Sequence, residues 1–113
     1  MSSAGGPTSD EQRLLPRIVH QQEARVRDAQ KALQAAEDDA KAIRLRQRIL
    51  EQYGRPDLAA ALESQAADRE AQVIQLRQRL ADEQAALNAY RDFAARSGVA
   101  IPPGPEPSPR RDR

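Results

Sequence analysis

Residues 51–57 read EQYGRPD, and they hold the only glycine and the only proline between Arg17 and Ser97. On either side the chain is made of Ala, Arg, Gln, Glu and Leu, the residues that lose least on entering a helix. Glycine takes the left-handed conformation just past a helix end, and proline is tolerated in a first turn, where its missing N–H has no partner anyway. One such stop-and-start pair in so long a helical stretch predicts two long helices and a single reversal at Gly54 and Arg55.

The apolar pattern on both sides supports this. Before the break Leu15, Val19, Gln22, Val26, Ala29, Leu33, Ala36, Ala40, Ile43, Gln47 and Leu50 follow each other at steps of four and three. After it Leu58, Leu62, Ala66, Arg69, Val73, Leu76, Leu80, Glu83, Leu87, Tyr90 and Ala94 do the same, except that the step from Leu62 to Ala66 is a second four in succession. Each is a heptad seam. In an antiparallel pair one helix counts up while the other counts down, so facing residues have numbers with a constant sum. From Gln47 and Leu62 to Leu15 and Ala94 every facing pair adds to 109, which puts small Ala29 and Ala36 opposite Leu80 and Val73. Small facing large lets helices approach closely. The fold class expected is therefore all-α, an antiparallel, coiled-coil-like two-helix hairpin.

Its charges agree. Lys41, Arg44, Arg46 and Arg48 crowd the end of the first helix, and Asp57, Glu63, Asp68 and Glu70 the start of the second. Both sets complement the helix dipoles and attract across the turn. The polar seam residues Gln22, Gln47, Arg69 and Glu83 are read as register-selecting positions, with stems along the seam and heads in water.

The domain plan follows: residues 1–8, small and polar, as a disordered N-terminus, and 9–97 as the hairpin. Within it helix 1 covers about 10–53, with a kink or separate turn at 14–16 caused by Pro16, and helix 2 about 56–97. Ser9-Asp10-Glu11-Gln12 has the form of a capping box, and Gly98 and Val99 have the form of a helix end with its apolar contact. Residues 98–113, AIPPGPEPSPRRDR with its two leading residues, make a Pro-rich disordered tail.

Composition narrows the function. The chain has 113 residues, 31% of them charged, and only three aromatic side chains. There is no cysteine and a single histidine, so no metal or cofactor site is expected. His20 has no Ser or Cys nucleophile and no Gly-rich loop to work with and reads as a surface residue. Glu37, Asp38 and Asp39 are consecutive on a helix and point three ways. The chain is not expected to be an enzyme. No apolar run approaches the roughly 20 residues of a membrane span and the first residues do not resemble a secretory signal, which points to the cytoplasm. Fifteen Arg and Lys are balanced by fifteen Asp and Glu between Asp10 and Ser97, which argues against nucleic acid as a partner. The repeated phrase LRQR does not alter this, since Leu76 lies in a seam and Leu45 does not.

The expected function is protein–protein interaction or assembly. Two helices bury little apolar surface, and a second line on helix 2, Ala60, Ala67, Ala71, Ile74, Ala81 and Ala85, lies outside the seam with Leu45 and Ile49 of helix 1. Those residues form the candidate partner interface, for a homo-oligomer, a dimer favoured, in which hairpins pair into a four-helix bundle, or for a helical protein partner. A second expectation is a regulatory tip. In outline the hairpin resembles transcription factors that insert a coiled-coil finger into the RNA polymerase secondary channel, with Glu51 and Asp57 flanking the turn as acidic residues flank theirs. Tyr53, Arg55 and Asp57 are then the candidate contacts. The signatures of small helical-hairpin secretion substrates are absent, since the turn reads Gln52-Tyr53-Gly54 and Tyr90 is followed four residues on by Ala94.

Overall fold

The computed structural model describes residues 6–103, and among them the chain is helical without strands: α1 spans Ser9–Gln52, α2 Pro56–Ala61 and α3 Glu63–Arg96. The two long helices, α1 and α3, pack against each other as an all-α hairpin. The disorder expected of residues 1–5 and 104–113 lies outside the described residues. The described residues divide into two compact units, 6–24 with 85–103 and 25–84.

α1 starts one frame earlier than the serine at position 9 suggests. The Thr8 hydroxyl accepts from the Glu11 N–H at 3.0 Å, and the Glu11 carboxylate accepts from the Thr8 N–H at 3.0 Å. This is a reciprocal capping box on T-x-x-E rather than on the overlapping S-x-x-Q. A carboxylate near the positive end of a helix dipole outcompetes a neutral amide, which accounts for the choice. The helix then runs through Pro16 as one element, with no separate turn at 14–16.

Both glycine ends close in the same way. At Gly54, with φ of 77°, the Arg55 N–H reaches the Leu50 carbonyl at 2.8 Å and the Gly54 N–H the Glu51 carbonyl at 3.2 Å. At Gly98, with φ of 76°, the Val99 N–H reaches Ala94 at 2.9 Å and the Gly98 N–H reaches Ala95 at 3.2 Å. These bond pairs satisfy carbonyls that a helix end leaves open, and the left-handed residue they need is glycine in each case. Arg55 at once donates the bond that closes the end of α1 and is the residue before Pro56, the first residue of α2.

The second arm is two helices, not the single helix over about 56–97 that the spacing predicts. The interruption is at Leu62, between the two consecutive steps of four. Its cause is a side chain on the backbone ladder. The Ala59 carbonyl accepts from the Leu62 N–H at 3.1 Å, three residues on, and from the Gln47 side-chain amide of α1 at 3.0 Å. A side chain inserted into the i to i−4 ladder breaks or bends a helix. The same adjustment puts Ala59, 2% exposed, inside, and leaves Leu58 outside at 41%.

In the unit of residues 25–84, Val26, Ala29, Ala36, Ala40, Ile43, Ala66 and Val73 are buried, and Ala36, Ala40 and Val73 form one cluster with Leu33 and Leu76 against it. In the other unit Leu15, Val19, Gln22, Leu87, Ala94 and Val99 are buried. Tyr90, assigned to the seam by its spacing, is 38% exposed there. More than a third of the residue thus stays in solvent, while most of it is covered.

Candidate interaction surface

Within residues 25–84 the seam is flanked by ion pairs whose members also have a constant sum. Glu37 meets Arg77 at 3.2 Å, and Arg44 meets Glu70 through two bonds at 2.8 and 2.6 Å. The numbers add to 114 in both cases, one heptad apart on each helix. In the other unit Glu23 meets Arg91 at 2.7 Å on the same sum. Glu83, a seam position, is gripped by both nitrogens of the Arg25 fork at 3.1 Å, which keeps a carboxylate beside apolar surface neutralised.

Arg44 is the centre of a polar knot near the turn. Besides Glu70 its guanidinium donates to the Glu63 carboxylate at 2.8 Å and to the Gln47 side-chain carbonyl at 2.9 Å, while the Gln47 amide donates to Glu63 at 3.1 Å. Hydrogen bonding to Arg44 holds the Glu70 and Glu63 carboxyls below their ordinary range, with Gln47 adding to the effect at Glu63, and the same bonds push Arg44 up.

Beside this knot α1 and α3 leave a groove of about 380 Å³ with Ala40, Val73 and Ile74 for an apolar floor and wall. A neighbouring depression of about 310 Å³ shares Ala40, Lys41 and Glu70 and is bounded by Leu45 and Arg48. Ile74 is 66% exposed, and Leu45 and Ile49 are 45% exposed each. The groove carboxylates, Glu37 and Glu70, are taken up by Arg77 and Arg44, whereas Lys41 and Arg48 form no ion pair among the described residues. The groove thus offers apolar side chains beside uncompensated positive charge.

The remaining candidate interface residues, Ala60, Ala67, Ala71 and Ala81 in this unit and Ala85 in the other, are all exposed. Among the seam residues Leu33, Leu50, Leu62, Leu76 and Leu80 are half-buried. At the turn Tyr53 is 80% exposed. Arg55 and Asp57 pair with each other at 3.0 Å, and that bond holds the Asp57 carboxyl low. The two charged tip candidates therefore neutralise each other, and only Tyr53 projects without a partner role in the turn. Among the described residues no group of three or more His, Asp or Glu converges as a metal site would require, and no helix is long and apolar enough to cross a membrane. In comparisons with protein-family models, curated proteins and solved structures, nothing matches the chain.

Proposed function

We propose that this chain is a non-enzymatic interaction or assembly module of the cytoplasm, and that residues 25–84 complete their core by taking helices from a partner, a second copy before any other. One observation carries this reading: the hairpin covers its own apolar side chains only in part. In this unit Leu33, Leu50, Leu76 and Leu80 are only partly buried, while Leu45, Ile49 and Ile74 stand outside the seam altogether. Bundles of four helices bury such side chains by facing two hairpins together. Sedimentation equilibrium of the full chain tests the proposal. Dimers are expected at micromolar concentration, and a folded monomer there refutes self-association.

The tip reading keeps one observation in its favour, the exposure of Tyr53. The variant carrying Tyr53→Ala and Arg55→Ala separates the two. An assembly module with these changes sediments as the unaltered chain does, whereas a tip that inserts into a larger machine such as RNA polymerase no longer co-purifies with that machine.

A further inference from the structure

In the unit made of residues 6–24 and 85–103, the chain does not leave the helices when α3 ends. Gly98 turns it back, and Val99 packs into a cluster with Leu15 of α1 and Ala94 of α3. Val99 is only 8% exposed. Two residues on, Ile101 lies against the same cluster, while Ala100 between them faces out. Alternation of this kind is the mark of an extended segment laid on a surface. Beyond it the Pro102 carbonyl accepts a hydrogen bond from His20 Nε2 at 2.7 Å. A carbonyl can only accept, so that nitrogen carries the proton.

These contacts have the composition of a short peptide in a binding site. Two apolar anchors at alternate positions fill a socket shared by two helices, and one side-chain donor reads a main-chain carbonyl. The ligand is stiff as well, because Ile101 and Pro102 each precede a proline and are held extended. Little conformational freedom remains to be lost on docking.

We propose that Leu15, His20 and Ala94 form a peptide-binding site, that the chain fills it with its own residues 99–102, and that once vacated it accepts the same segment from a second copy. The proposal is independent of the groove in residues 25–84. A covalently attached ligand acts at an effective concentration of the order of millimolar, so the internal segment holds the site in the unaltered protein. Only a chain whose own segment is disabled exposes it.

The test uses the full-length chain with Val99→Asp and Ile101→Asp, titrated into a fluorescent peptide of residues 97–103, SGVAIPP, and followed by anisotropy. Saturable binding is expected, at least tenfold tighter than to the unaltered chain. Adding His20→Ala to the vacated chain weakens it about fivefold, the loss of one ordinary hydrogen bond. A peptide with aspartates in place of its valine and isoleucine does not bind. Absence of saturable binding to the vacated chain, at a helix content equal to that of the unaltered chain, overturns the proposal. So does equal binding to both chains. If the double aspartate variant loses helix, full-length Val99→Ala with Ile101→Ala removes both anchors while keeping the backbone bond at the glycine end, and the same titration then decides by the same comparison.

Discussion

Replacing Ile74 with Asp asks whether the exposed wall of the groove is an interface. In the hairpin Ile74 is 66% exposed, so only about a third of its side chain is covered by its own chain. At about 2.5 kcal/mol for a fully buried isoleucine, the covered part is worth about 0.8 kcal/mol to a lone hairpin. The open two-thirds, about 1.7 kcal/mol, is what a partner gains by covering it. A two-fold dimer presents the residue twice, which brings the loss to about 3.4 kcal/mol, and at about 1.4 kcal/mol per tenfold this weakens association roughly 300-fold. Desolvating two carboxylates increases the effect further. Sedimentation equilibrium across micromolar concentrations reads the association, and thermal unfolding at high dilution reads the lone hairpin. The expected outcome is a monomer whose dilute melting temperature falls by only a few degrees. An association constant unchanged within tenfold refutes the assignment of Ile74 to an interface.

Two further changes probe the polar knot. Gln47→Leu removes the amide that sits on the Ala59 carbonyl, so the Glu63 N–H regains its normal acceptor and α2 and α3 fuse. Amide exchange at Glu63 should slow about tenfold, a gain of one ordinary hydrogen bond, and an unchanged rate sinks the account of the interruption at Leu62. Acid is the second probe. The Glu63 and Glu70 carboxyls titrate lower in the fold than their ordinary 4.5, so the stability they add is fully present above that pH and drains as pH falls below it. Melting temperatures measured from pH 7 to pH 2 should fall more steeply below pH 4.5 in the unaltered chain than in Arg44→Met, and parallel curves contradict the role given to Arg44.

The hairpin is legible in the sequence because its two controls are local. Glycine and proline punctuate the chain at one place, and the seam repeats often enough for a constant sum to emerge from two separately read helices. The same rule extended one step beyond Gln47 sets Leu50 against Ala59, which is the buried residue. Hydrophobicity points instead to Leu58, and hydrophobicity is the weaker guide where a helix is about to break. The break itself needs the Gln47 amide to come within reach of one carbonyl, a tertiary contact that no pattern in the second helix encodes. His20 illustrates the same limit. Nothing near it in sequence names Pro102 as its acceptor, and only the alternation of Val99 and Ile101 after a helix-ending glycine hints that this part of the Pro-rich tail lies down on the helices. At the N-terminus two overlapping capping frames are both readable, and charge decides between them.

The flanking pairs Glu37–Arg77 and Arg44–Glu70 run in opposite senses, acid then base along α1. Heptad seams are prone to sliding by seven residues, because apolar side chains find apolar side chains again at the next repeat. Here a slip one way brings Glu37 to Glu70, and a slip the other way brings Arg44 to Arg77. Had both rungs carried the same polarity, a slip would have left one rung attractive in either direction. The reversal puts one like-charged rung into the neighbouring alignment whichever way the helices move; on the Glu37–Glu70 side Arg44 meeting Glu63 offsets it, so the charges select against wrong pairing most strongly on the side that brings Arg44 to Arg77.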